Sequence, residues 1–172
     1  MRLSEEVKEL LQQGRETELV DRVVADARIV RPLLARLYDP EDDVRDRASR
    51  VLGHAAAAHA ELGREVARRL IWALNDESTT NGVYGIPALG QIGRQAPDLV
   101  APHVSALARM AWDQGLRLAI LEALAEVARS SPDLVAPELE AIEPHVDASR
   151  PGEDAAWRNL KDAVQGDETH EC

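Results

Sequence analysis

Pro97-Asp98-Leu99-Val100-Ala101-Pro102 recurs unchanged as Pro132-Asp133-Leu134-Val135-Ala136-Pro137, 35 residues further on. Similar helical text surrounds both copies. A period of this size marks a stacked array of helical hairpins, in which one unit cannot bury its apolar face alone and leans on its neighbours.

The clearest unit spans 97–131, with a first helix expected over 98–112, a turn at Asp113 and a second helix over 114–129. In that second helix Leu116, Ile120, Ala123, Leu124 and Val127 share one helical face. Leu118, Leu121, Ala125 and Ala128 widen it, as expected of a helix buried on two sides. An offset of 35 superposes Leu124 on Leu89, Val127 on Ile92 and Pro132 on Pro97. A further 37 places Leu52 and Gly53 over Leu89 and Gly90. Val44, Ala48, Val51, Leu52 and Ala55 repeat the same stripe there. Asp39, Asp76 and Asp113 are spaced by 37 and 37 and mark the turns. Asp39-Pro40 reads as an N-cap followed by proline at the first helical position, where its missing N–H costs nothing.

These offsets divide the chain into units 28–60, 61–96, 97–131 and 132–165, the last with helices expected over 134–146 and 153–165. Ahead of them, 5–12 and 16–27, split by Gly14, read as cap helices within 1–27, and 166–172 reads as a flexible tail. The expected fold class is all-α: one domain over 1–165, a right-handed α-α superhelix of about four hairpins behind an N-terminal helical cap.

Composition narrows the partners. Phe is absent and aromatic residues are 3% of the chain, so the core is built from Leu, Val, Ile and Ala. No β-branched or aromatic run bounded by turn signals suggests a strand. The net charge is −11, and many of the 18 Arg sit among acidic residues, as in Glu41-Asp42-Asp43-Val44-Arg45-Asp46-Arg47. Gripping phosphates needs clustered Lys and Arg, so nucleic acid is not an expected partner. The single cysteine, Cys172, excludes a disulfide framework and fits a reducing compartment. Residues 1–6 show no signal-peptide pattern, and no run approaches the ~18 apolar residues of a membrane span. A cytoplasmic location without membrane contact is expected.

Leu37-Tyr38-Asp39-Pro40-Glu41-Asp42-Asp43-Val44-Arg45, followed by Ala48 and Leu52-Gly53, resembles the HEAT repeat, in which a turn Asp precedes a Val-Arg pair opening the second helix. The bilin-lyase type of HEAT-like repeat shares that pattern, and Leu116-Arg117 resembles the same pair. The resemblance covers roughly 28–165. It implies a solenoid fold; the family hosts scaffolds, assembly factors, adaptors and a few enzymes, so it implies no single activity. Trp72-Ala73-Leu74-Asn75-Asp76-Glu77-Ser78 is also similar to a segment of small bacterial HEAT-like proteins of unassigned function.

The second unit departs from the others. Its turn is long and polar, 75–82, and its second helix carries Gly82, Gly85, Pro87, Gly90 and Gly93. Gly85 stands where the flanking units place Ala48 and Ile120, and Pro87 where they place Arg50 and Glu122. An interior Gly costs about 1 kcal/mol against Ala and an interior Pro about 3 kcal/mol. Two readings stand. In one, the small residues let Trp72 or Tyr84 pack across a tight crossing, and Pro87 lies in the first turn of a helix that starts late. In the other, 76–84 is a functional edge offering Asn, Ser and Thr side chains to a partner.

Catalytic chemistry finds little support. His54 and His59 are five apart, about 140° around a helix, whereas a helical zinc pair wants i, i+4. The HEAT-like iron hydroxylase pattern uses repeated His-Glu pairs, and only His170-Glu171 occurs here. No Gly-rich loop follows a strand, and Cys172 has no evident partner base. No metal and no cofactor is expected. A HEAT-like DNA glycosylase fold would need a basic concave face, which the charge balance opposes.

The favoured function is a non-enzymatic protein–protein interaction module, an adaptor or assembly factor. It would bind a protein through its inner helices and the 76–84 edge. The candidate partner-binding residues are Arg47, Arg50, Asp76, Thr79, Thr80, Asn81, Tyr84 and Arg117. The charged stripe of Asp46, Arg47 and Arg50 is also what an ordinary solvated face looks like. Tyr38, Asn75 and Trp112, each preceding a turn Asp, form either a binding ridge or a structural ladder. A bilin-type cofactor chaperone or lyase is the alternative function, and a self-assembling homo-oligomer the third.

Overall fold

The computed structural model of the chain describes residues 1–76 and 82–166, and among them every regular element is helical. The α-helices are α1 (Leu3–Gln12), α2 (Glu16–Ala25), α3 (Val30–Arg36), α4 (Asp42–Ala58), α5 (Ala60–Asn75) and α6 (Ile86–Gln95). They continue with α7 (Pro97–Val100), α8 (Val104–Arg109), α9 (Arg117–Ser130), α10 (Pro132–Val135), α11 (Leu139–Ile142) and α12 (Glu153–Gln165). The candidate residues Thr79, Thr80 and Asn81, and residues 167–172, lie outside the described residues.

Helices α4, α6, α9 and α12, one from each sequence unit, pack side by side in chain order. The reason is the apolar stripe: Val44, Ala48, Val51, Leu52 and Ala55 of α4 are buried, as are Ile120, Ala123, Leu124 and Val127 of α9. One hydrophobic cluster runs through the whole set, from Val7 in α1 to Leu160 in α12. Helices α1 and α2 cover the free side of α4, and Gly14, with φ +70°, makes the tight turn between them.

The repeated hexapeptide produces a repeated break. Pro97 and Pro132 sit in the first turns of α7 and α10, but Pro102 and Pro137 fall five residues on, where proline removes a helical N–H and crowds the preceding turn. The chain therefore passes through 3-10 turns at Ala101–His103 and Ala136–Glu138. The continuous helices expected over 98–112 and 134–146 are in fact chains of short helical segments.

Helix starts also differ from expectation. Asp39 is not the N-cap of α4; that position is Glu41. The Asp39 carboxylate instead accepts the Glu41 N–H at 3.1 Å, two residues on. Asp113 accepts the Gly115 N–H at 2.8 Å and Asp147 the Ser149 N–H at 2.9 Å in the same way. The recurring turn aspartate thus shapes the turn through a local side-chain bond and leaves the helix to begin later. In the second unit a 3-10 turn over Gly82–Gly85 precedes α6, so Pro87 lies in the first helical turn, where it is tolerated. The neighbour packed on Gly85 is Leu70, and Trp72 is exposed.

Candidate functional site

The three arginines singled out from the sequence all have partners within the chain, Arg50 at the exposed surface, Arg47 half-buried and Arg117 buried. Arg47 donates from Nη1 to the Leu11 carbonyl at 2.9 Å, at the C-terminal end of α1, where a cation suits the exposed carbonyls. Arg50 grips Glu16 of α2 through Nε at 2.9 Å and Nη2 at 2.6 Å. That bidentate bond holds the Glu16 carboxyl below the usual carboxylate range. Arg117 is 7% exposed and donates to the Ala111 carbonyl at 2.7 Å and the Trp112 carbonyl at 3.1 Å. It also faces Glu153 at 3.3 Å. Arg117 is therefore buried in the packing between the third and fourth units.

Tyr84 stands in a small stack. Its ring meets Tyr38 edge-on, with centroids 6.4 Å apart, and the Arg45 guanidinium carbon lies 4.8 Å from its centre. Such a cation–π contact contributes about 0.5–1 kcal/mol at an exposed site. Of the residues expected to form a ridge, Tyr38 meets Tyr84 of the second unit, and both Tyr38 and Trp112 are exposed.

What the structure brings together is a pair of clefts at the turn edge of the second and third units. One, of about 610 Å³, lies between 73–76, 82–83 and 110–116, and Asp76, Trp112 and Asp113 line it. The other, of about 500 Å³, shares Ala73, Asn75 and Asp76 and is walled by Arg69 and Trp72. Trp72 is 71% exposed. Leu74, Val83, Met110 and Leu116 supply apolar lining, so the edge combines aromatic, apolar and carboxylate groups. Asp76 and Tyr84 were legible from the odd second unit. Trp72 and Trp112 entered that reading only as a packing residue and a ridge member.

A separate trough of about 290 Å³ runs across α4, α6, α9 and α12, lined by Pro87 and Ala123 and by the carboxylates of Asp46, Glu122 and Glu126. Arg94 pairs with Glu126 at 2.8 Å. Loss of solvent raises the Glu122 carboxyl above its ordinary value, and the Asp46 charge adds to it. The sign is that of a raised folded pKa: Glu122 favours the fold in its protonated form, and that preference is lost as pH rises through its folded value. Asp46→Asn is expected to bring the Glu122 titration down towards the ordinary glutamate value, read from its side-chain carbon resonance by NMR. An unchanged midpoint would show that the two carboxylates do not feel each other.

His59 Nε2 lies 2.8 Å from the Val23 carbonyl, a bond that ties the junction of α4 and α5 to α2. Among the described residues no group of three or more His, Cys, Asp or Glu side chains is placed to hold a metal ion. Compared with family models, curated proteins and solved structures, the chain matches none of them.

Proposed function

We propose that the chain is a non-enzymatic protein-binding module, an adaptor or assembly factor built as a right-handed α-α superhelix of the HEAT-repeat type. The observation that carries the reading is the pair of tryptophans, Trp72 and Trp112, 71% and 65% exposed beside joined clefts. Tryptophan is among the residues enriched at the energetic centres of protein interfaces. The in-order packing of α4, α6, α9 and α12 supports the repeat architecture, as does the recurring turn aspartate. The net charge of −11 favours a protein over nucleic acid. No helix among the described residues is long and apolar enough to cross a membrane. The proposed setting is the cytoplasm.

The test is site-directed photo-crosslinking in host-cell extract. A photoreactive residue replacing Trp72 or Trp112 is expected to capture the same discrete protein, while one replacing the exposed Asp21 of α2 captures none. Equal capture from all three positions, or from position 21 alone, would remove the turn edge as the binding surface. A bound chromophore in the purified protein would instead favour cofactor handling.

A further inference from the structure

The first and third units carry an arginine at one register position where the second carries a glycine. Arg45, Gly82 and Arg117 are separated by 37 and 35 residues, the same offsets that relate Leu52 to Leu89 and Leu89 to Leu124. The two arginines act alike. Each donates to a main-chain carbonyl six residues earlier, Arg45 to Asp39 at 2.6 Å and Arg117 to Ala111 at 2.7 Å. Each also reaches a side chain of the following unit. Arg45 lies over the Tyr84 ring and Arg117 pairs with the Glu153 carboxylate. A guanidinium therefore joins the first unit to the second and the third to the fourth.

Gly82 can do neither. Its backbone is pressed so closely on α5 that a Cβ would lie 2.8 Å from the Ala73 carbonyl oxygen, which excludes an arginine in this conformation. At the turn edge of the second and third units, beside the α6–α9 packing, lies instead the 610 Å³ cleft. That cleft is lined by the two kinds of group that the internal arginines use elsewhere: an aromatic side chain, Trp112, and a carboxylate, Asp113. One Asp113 oxygen holds the Gly115 N–H, and among the described residues no basic side chain pairs with that carboxylate. Guanidinium is the cation suited to both groups at once. It is planar, stacks on aromatic rings, is weakly hydrated and meets carboxylates through fixed paired donors, whereas a lysine ammonium is a strongly hydrated point charge. Leu74, Val83, Met110 and Leu116 give an apolar wall for an aliphatic side chain beside it. The net charge of −11 draws cationic segments in.

We propose that this cleft receives an arginine side chain of the protein partner, its guanidinium seated on the Trp112 face and against the Asp113 carboxylate. The proposal deepens the protein-binding reading and rests on it for the source of the arginine.

The full chain, labelled with ¹⁵N, is titrated with acetyl-Leu-Arg-Leu-amide and with the same peptide carrying lysine or citrulline in place of arginine. Trp72→Phe and Trp112→Phe assign the three indole N–H signals. The arginine peptide is expected to shift the Trp112 indole and the Gly82 and Gly115 amides saturably, with at least fivefold weaker binding of the lysine and citrulline peptides. Asp113→Asn, which keeps an oxygen for the Gly115 N–H, is expected to weaken the arginine peptide about five- to tenfold while the rest of the spectrum stays in place. Equal response to lysine and arginine, shifts confined to other residues, or no saturation would overturn the proposal. So would a Trp112 shift that depends on protein concentration without peptide, since the cleft would then belong to a second copy of the chain. If crosslinking at 72 and 112 captures a partner while the arginine peptide leaves Trp112 unmoved, the binding function stands and the arginine assignment fails.

Discussion

Gly53→Val is expected to lower the free energy of unfolding by about 3 kcal/mol or more, and Gly53→Ala by about 1–2 kcal/mol. Two effects oppose each other at this position. An alanine in the middle of α4 should help the helix by about 1 kcal/mol, because glycine is the poorer helix former. Against that, a Cβ on Gly53 would lie 2.6 Å from the carbonyl oxygen of Gln91 and 2.8 Å from its carbonyl carbon. Both are backbone atoms of α6, so no side-chain rotation relieves the contact and the two helices must part. Overpacking of that kind costs roughly 1–3 kcal/mol for a small group and more for a branched one. Parting α4 from α6 also disturbs the next crossing. There Gly90 approaches α9 so closely that a Cβ would lie 2.8 Å from the Ala123 Cα. The exposed Ala57 on α4 provides the control, since Ala57→Val carries only the propensity cost of roughly 0.5 kcal/mol. Urea unfolding of the three variants and the parent decides the matter. A Gly53→Val midpoint no lower than that of Ala57→Val would show that the α4–α6 crossing is not as close as described.

The same glycines show what the sequence carries and what it leaves out. Gly53 and Gly90 fall at one register position because the offset of 37 is written in the chain, and the helix-period stripes around them announce buried helices. α12 begins and ends where the pattern predicts. The breaks after Val100 and Val135 were also legible in principle, since Pro102 and Pro137 stand inside the expected helices. The strength of the flanking apolar pattern masked them. Side-chain direction was the part not written locally. Arg47, Arg50 and Asp46 read as one charged stripe, but the groups that hold the arginines, the Leu11 carbonyl and Glu16, lie in the cap helices more than 30 residues away. The equivalence of Arg45, Gly82 and Arg117 was available from the offsets alone. That Gly82 opens a cleft, and that two tryptophans border the clefts there, depends on how neighbouring units meet.

Arg117 and Glu153 provide the second large effect. Removing either one alone is expected to cost about 3–5 kcal/mol, while removing both costs well below the sum. The two residues are 7% and 1% exposed, so the Arg117 charge depends on Glu153 for compensation and Glu153 on Arg117 for its one buried counter-charge. Glu153 also accepts the Asp147 N–H at 2.9 Å and faces Arg150 Nε at 3.1 Å. Arg117 in turn holds the Ala111 and Trp112 carbonyls. In Glu153→Ala the guanidinium stays buried with only carbonyl partners, and the Asp147 N–H loses its acceptor. In Arg117→Met the carboxylate keeps Arg150, half in water, but loses its buried counter-charge. The Arg117→Met, Glu153→Ala pair strands no charge, and what remains is the loss of three hydrogen bonds to the turns at about 1 kcal/mol each. A double-mutant cycle in urea is therefore expected to give a coupling of several kcal/mol, larger than the median of 0–1 kcal/mol for an exposed pair. Glu153→Gln separates charge from shape. It retains an acceptor for Asp147 and should fall between the parent and Glu153→Ala. Additive single-site costs would mean that water reaches both groups and that the third and fourth units are joined by the Leu124–Leu160 side of the packing alone. In that case Arg117 would rejoin Arg47 and Arg50 as an ordinary surface cation, and the register argument that links it to Arg45 would lose its structural half.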